Sequence, residues 1–273
     1  MADPESDRYT VPGLERGLRL LGEFSRNDPV LTPPELAQRL GIPRSTVFRL
    51  LVTLENLGFV ERTPDGRSYR LGLAILRMGF EYLASLDMVE LGRPLIEALR
   101  DDTGYAASLV VRDVRDVVYL QRAPSRAPFA TAVSVGTRLP AHATVFGHVL
   151  LGDLPLGALR ALYPEPKLEA RSASTPADTT ALFELVQQIR KRGWVLAEAF
   201  FEPHISTVAA PVRDQEGHIV AAIGLTVPGA EVAADKRAAL VAQVCGTAAR
   251  LSTLLNFHQQ QADDAPVVAL RRA

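Results

Sequence analysis

The sequence predicts an α+β chain in which a small helical N-terminal domain precedes a larger domain of mixed strands and helices. Three observations carry this expectation. Residues 13–71 spell helix, helix, helix, hairpin in their apolar pattern. From Ala106 onward, β-rich runs at 106–111, 117–121, 130–135, 208–213 and 218–227 are interleaved with helical stretches. The chain has 273 residues, 47% hydrophobic and 22% charged, which is ordinary for a polypeptide that buries cores and long enough for more than one.

The elements follow in order. Leu14, Leu18 and Leu21 recur at helical spacing with Phe24 one turn on, and Glu15, Arg16, Arg19 and Glu23 take the other side, so the first helix is amphipathic. Asn27-Asp28-Pro29 ends it. Thr32 is an N-cap, with Pro33 at the first helical position and Glu35 at capping-box spacing; this short helix runs from Pro33 to Leu40 and Gly41 closes it. Ile42-Pro43 opens a third helix with an apolar stripe of Val47, Leu50, Leu51, Leu54 and Leu57. Phe59–Arg62 and Ser68–Leu71 flank a Thr63–Arg67 turn, a hairpin signal. Leu73, Leu76, Phe80 and Leu83 share a face of a further helix, and another spans Val89–Arg100. Helical stretches are expected at 143–151, 155–162, 176–192 and from Ala234 to about His258, with a hairpin turn at Asp214–Gly217. Residues 259–273 lack periodicity and are expected to be a disordered tail.

Composition narrows the function. The formal charge of −1 means that a polyanion would have to meet a local basic patch. The single cysteine, Cys245, excludes an internal disulfide and a multi-cysteine metal site, and it reads as a helix core residue. The N-terminal eight residues are acidic and polar with nothing resembling a signal peptide behind them, and no run has the roughly 18 apolar residues that span a bilayer, so a soluble, cytoplasmic protein is expected. An enzyme reading would draw on His142, His148, Ser108, Ser206, Asp113 and Glu198. No nucleophile elbow, zincin, P-loop or dinucleotide motif supports it, and neither metal nor cofactor is implied.

A helix-turn-helix needs exposed Arg and Ser/Thr at the start of its second helix, where base edges are met. Here that start reads Arg44, Ser45, Thr46, with Arg49 one turn on; these four are the expected base contacts. Phe48 either meets a thymine methyl or packs. Thr32 and Arg67 at the hairpin tip are expected on phosphates, and Arg62 is the weakest candidate. Residues 39–70 carry six arginines against three acids, a local basic excess. The competing reading makes the triplet of helices and its hairpin an assembly domain with solvated arginines.

Four separated segments then carry a resemblance: "GLERGLRLLGEFS", "LTPPELAQRLGIPRSTVFRLLVTLENLGFVER", "YRLGLAILRMGFEYLASLDM" and "VGTRLPAHAT". In family order and over about Gly13 to Phe257, they resemble the IclR family of bacterial transcriptional regulators. The resemblance implies a winged helix-turn-helix domain at 10–72, a linker helix at 73–87, and a GAF-like α/β effector-binding and oligomerisation domain with an antiparallel sheet at 88–258. It also implies a homodimer or dimer of dimers on a palindromic duplex-DNA operator, controlling a catabolic operon in response to a small molecule.

By the same resemblance, "GTRLPAHATVFGHVLL" bounds the effector pocket, which puts Leu139, Ala141, His142, Thr144, Val145, Phe146 and His148 on or near one wall. The other wall is the 194–212 stretch with the strand 221–227. The chain departs from the family there: Ala197 takes a common acidic place, Ser206 an Arg, Thr207 a Ser/Cys, Gly224 and Thr226 two serines, Val145 and Phe146 small residues, and His148 a Lys. The expectation is an apolar cavity with Thr144, Thr207 and Thr226 as hydrogen-bond donors and His142 or His148 as the cation, suited to an aromatic or otherwise hydrophobic acid. Each histidine has a structural role as its competing reading. The alternative for the whole domain is a ligand-independent oligomerisation module, its cavity closed by Phe146.

Overall fold

The computed structural model describes residues 10–25, 27–84, 87–125 and 133–255, the side chains of 80–84 and 87 excepted. The chain divides into two compact units between residues 85 and 86.

In the first unit, α1 spans Pro12–Gly22, α2 Pro33–Leu40 and α3 Arg44–Asn56, followed by β2 (Val60–Arg62), β3 (Tyr69–Leu71) and α4 (Leu73–Ala84). A short strand β1 (Val30–Leu31), absent from the sequence reading, pairs antiparallel with β3, which also pairs with β2, giving the order β1-β3-β2. α2 has the expected ends. The Thr32 hydroxyl accepts from the Glu35 amide at 3.4 Å while the Thr32 amide donates to Oε2 of Glu35 at 2.7 Å, closing the capping box. Such a cap stabilises by about 1 kcal/mol.

The core of this unit is Leu20, Phe24, Leu31, Leu36, Val47, Leu51, Val60 and Tyr69. The periodic stripe on α1 does not all reach it. Leu14 and Leu18 are each 61% exposed, and the packed face of the helix is Gly17, Leu20 and Phe24. With Leu21, the half-buried Leu50 and Leu54, the exposed Leu57, and Ile75 and Met78 of α4, these two leucines line an apolar surface groove of about 690 Å³. Periodicity locates an apolar face but not what covers it. Leu73 and Leu76 of α4 are likewise exposed, and the expected partners Phe80 and Leu83 have side chains outside the described residues.

In the second unit, α5 (Asp87–Thr103) leads into a six-stranded antiparallel sheet of order β6-β5-β4-β9-β8-β7. Its strands are β4 (Ala106–Asp113), β5 (Asp116–Ala123), β6 (Arg138–Pro140), β7 (Val195–Glu198), β8 (Ile205–Arg213) and β9 (Ile219–Pro228). Side chains alternate between two cores. Leu109, Val208, Ile223 and Leu225 pack with α5 and α9 (Ala234–Leu254) on one face. Val110, Ala209 and Ala222 pack on the other with α6 (Val145–Leu150), α7 (Leu156–Leu162) and α8 (Thr179–Arg192). The run expected as a strand at 130–135 lies partly outside the described residues; its described part, 133–135, is loop and turn, and β6 follows it. The end of the last expected helix and the tail from 259 also lie outside them.

α6 is placed by its own N-terminus. A 3-10 turn at Ala141–Ala143 precedes it, and Thr144 caps it, accepting from the Gly147 amide at 3.3 Å and donating to the Pro140 carbonyl at 3.1 Å. A Cβ at Gly147 would stand 2.0 Å from the Ala141 carbonyl oxygen, so only glycine lets the turn fold back on the helix this closely.

Candidate functional sites

The start of α3 is open to solvent. Arg44, Ser45, Phe48 and Arg49 are exposed and Thr46 is half-buried, while Val47 and Leu51 fix the opposite side in the core. Phe48, at 53% exposure, presents its ring rather than packing it.

The six arginines of residues 39–70 fall into two groups. Arg39 meets Asp28 at 3.2 Å, Arg62 meets Glu55 at 3.2 Å with its guanidinium 5.0 Å from the centre of the Tyr69 ring, and Arg70 meets Glu61 at 2.5 Å. Among the described residues no ion pair involves Arg44, Arg49 or Arg67, the three that the sequence assigns to DNA. The unneutralised positive charge therefore sits at the start of α3 and at the hairpin tip, where Arg67 is exposed. The Thr32 hydroxyl, expected on a phosphate, is committed to capping α2; it also donates to Glu35 at 2.7 Å.

In the second unit a cavity of about 50 Å³ opens between the sheet and α6. Of the residues expected there, Leu139, Thr144, Val145, Phe146, Thr207 and Thr226 line it. Ala141, His142 and His148 do not. His142 is buried, its Nε2–H donating to the Glu169 carbonyl at 2.9 Å, with its ring edge-on to Tyr163. His148 donates to the His142 carbonyl at 2.8 Å and stands edge-on to Phe200; burial pushes its pKa down to about 4, so it is neutral. Neither supplies the cavity with a cation. Thr144 spends its proton on Pro140, so it offers an acceptor there, not a donor.

The sequence reading missed Ser108, Tyr119, Arg122 and Val133 on the lining, whereas Phe201, Glu202 and Ile205 belong to the 194–212 stretch it gave as the other wall. Tyr119 packs edge-on against Phe146 with ring centres 5.8 Å apart, and burial pushes its pKa up to about 12. Arg122 is half-buried, donates to the Val133 carbonyl, and has its pKa lowered by burial. Phe146 fits because Gly224 lies beneath it: a Cβ there would meet the Val208 carbonyl oxygen at 2.3 Å and the Phe146 ring at 2.7 Å.

Two family models match this arrangement, the IclR helix-turn-helix domain over residues 13–64 and the bacterial transcriptional regulator IclR C-terminal domain over residues 80–253. The chain belongs to the IclR family. Among curated relatives it is 32% identical over 217 residues to the Pca regulon regulatory protein of Pseudomonas putida, covering 79% of this chain and 74% of that one. It is 31% identical over 246 residues to the HTH-type transcriptional regulator BhcR of Paracoccus denitrificans, covering 90% and 88%. Its fold is similar to the crystal structure of an IclR transcriptional regulator from Alicyclobacillus acidocaldarius, with TM-score 0.80 and 26% identity over 90% of this chain and 100% of that one.

As an IclR protein the chain is a DNA-binding transcriptional regulator, not an enzyme. No helix among the described residues is long and apolar enough to cross a membrane. Two departures from the IclR pattern have structural explanations. Ser206, in the usual arginine place, is fully buried and donates to the Gly229 carbonyl at 3.0 Å. Glu198, beside the usual acidic place, accepts from Arg237 and from the Val232 amide, both at 2.8 Å. Cys245 is half-buried, and burial raises its thiol pKa.

Proposed function

We propose that this IclR regulator binds a palindromic operator as a homodimer or a dimer of dimers, α3 entering the major groove and Arg67 meeting the backbone from the wing, and controls a catabolic operon in response to a small organic acid. The observation that carries the DNA-reading assignment is the segregation of the arginines. Three are neutralised within the domain, and the three that remain mark one helix start and one hairpin tip. Arg pairs bidentately with guanine and Ser or Thr bonds to bases or phosphates, and protein two-fold symmetry is mirrored in half-sites about one helical turn apart or a multiple of it. Cytoplasmic location follows from this role.

The effector belongs in the cavity beneath α6. Its walls are mostly aromatic and aliphatic with a few convergent polar groups, the usual form of a small-molecule site. An aromatic or otherwise hydrophobic acid suits that lining. At about 50 Å³, against the ~150 Å³ cavity that holds benzene, the space admits a ring only when Phe146 or a neighbour moves. The ligand must prefer one of the two arrangements, or no signal results.

The same small volume favours a second reading, in which the C-terminal unit only assembles subunits and its cavity stays closed. One experiment tests both. Purified full-length protein is titrated onto labelled fragments from its own chromosomal neighbourhood at low salt, and its thermal unfolding is followed with a panel of aliphatic and aromatic acids. A specific shift together with ligand stabilisation, about 2.7 kcal/mol at 100 times Kd, is the expected result. A specific shift with no response to any acid favours the assembly reading, and no shift on any fragment ends the DNA reading.

A further inference from the structure

Four polar side chains of the cavity lie on two adjacent cross-strand rows. In one, Arg122 of β5 stands opposite Ser108 of β4, which stands opposite Gly224 of β9. In the next, Thr226 of β9 stands opposite Thr207 of β8. Gly224 offers no side chain, so the floor between Arg122 and the threonines is bare backbone covered by the Phe146 ring.

Ser108 is 1% exposed and Thr207 and Thr226 are half-buried, and none of the three hydroxyls makes a hydrogen bond among the described residues. Three uncommitted hydroxyls on one lining are open to a guest. Arg122 adds a charge that cannot be shed, because a guanidinium stays protonated even when burial lowers its pKa. Glu202 is the one acid among the described lining residues and is exposed. Arg122 and Glu202 both act on the Tyr119 hydroxyl, in opposite directions.

We propose that Arg122 is the carboxylate anchor of this cavity: a monocarboxylic acid binds with its carboxylate on the Arg122 guanidinium and the Ser108 hydroxyl, and its far end is read by Thr207 and Thr226. This rests on the cavity being the effector site. The fork of donors on a guanidinium matches a carboxylate, and neither histidine competes for that role. Glu202 sets the charge limit. A second negative charge would meet Glu202 on the same lining and be repelled, so monocarboxylates are preferred over dicarboxylates. A hydroxyl at the far end gains Thr207 and Thr226 as partners.

The test uses full-length protein and matched probes: propionate, benzoate and 4-hydroxybenzoate, the corresponding amides, and terephthalate as the dianion. Affinities are read by titration calorimetry and thermal shift. For the wild type, the acids are expected to bind at least tenfold more tightly than their amides and than terephthalate. Arg122→Gln is expected to weaken the acids 10- to 100-fold while leaving the amides within twofold. Thr207→Val is expected to erase the gain of 4-hydroxybenzoate over benzoate, and Glu202→Gln to admit terephthalate. Should Arg122→Gln fail to fold by circular dichroism, Arg122→Lys keeps the charge and the stem but not the fork, and a loss of at least fivefold for the acids alone is the expected result. Acids that bind the wild type and either folded variant equally well overturn the anchor and leave the effector site standing. A wild type indifferent to every acid and amide overturns both.

Discussion

The division of the N-terminal arginines into neutralised and free groups can be tested by removing them one at a time. Arg44→Ala, Arg49→Ala, Arg67→Ala and Arg62→Ala are all surface changes, since each side chain is exposed, so folding is spared in all four. A base-reading arginine is worth roughly 1–3 kcal/mol of discrimination, so Arg44→Ala and Arg49→Ala should weaken operator binding by about 5- to 150-fold and relax preference at one base pair each. Arg67→Ala should weaken operator and scrambled DNA alike and reduce the slope of log K against log salt by about 0.9, one phosphate contact. Arg62, held 3.2 Å from Glu55 and stacked over Tyr69, should leave both affinities and the slope unchanged. Fluorescence anisotropy with operator and scrambled duplexes at four salt concentrations measures all of this. If Arg62→Ala loses as much as Arg49→Ala, pairing within the domain does not decide which arginines serve DNA, and the reasoning is wrong.

Three further outcomes are expected. His148 has an ordinary pKa of 6.5 that burial lowers to about 4, so the stability held by its neutral form is complete above pH 6.5 and is lost as pH falls toward 4, by roughly 3 kcal/mol; urea unfolding between pH 7.5 and 4.5 should fall more steeply for the wild type than for His148→Gln, and parallel curves would contradict the buried neutral imidazole. Leu18→Glu places a charge in the apolar groove at a 61% exposed position, so it should spare the fold yet shift the oligomer toward monomer in sedimentation velocity if a second copy covers that groove; an unchanged distribution places the interface elsewhere. Phe146→Ala should cost about 3–5 kcal/mol in the free protein, and benzoate should stabilise the variant more than the wild type by occupying the vacated volume; the reverse order would show that a ring enters without displacing Phe146.

What could be read from the sequence depended on whether the signal was local. α2 came out with its observed ends because Thr32, Glu35 and Gly41 set them within one turn of the residues concerned. α3 and the hairpin were legible for the same reason. β1 was not, since two residues hold no alternation to detect and the strand exists only through its pairing with β3. The outward Leu14 and Leu18 follow the helical period as faithfully as core residues do. Arg122 was hidden by a register shift. Counting by twos from Tyr119 sends Gln121 into the cavity and Arg122 away from it, but the bulge opposite Leu109/Val110 makes Leu120 an extra residue and brings Arg122 opposite Ser108. The histidines erred the other way. Sequence proximity to the pocket-bounding segment suggested a ligand role, and only packing shows both rings spent on backbone carbonyls.

The charge balance ties the two proposed features of the first unit together. With a formal charge of −1, the chain has no long-range attraction for a polyanion, so affinity must come from the local cations. If Arg44, Arg49 and Arg67 all met phosphates, a single copy would show a salt slope near −2.7, and a two-fold pair near −5.4. At physiological salt the first is a weak, easily displaced contact, whereas the second falls in the range of operator-binding proteins that make 6–10 phosphate contacts. On that count dimerisation would be a condition for occupancy rather than an accessory to it. If a second copy covers the apolar groove of α1, α3 and α4, that groove would control DNA binding as strongly as the arginines do, even though none of its leucines need touch a base.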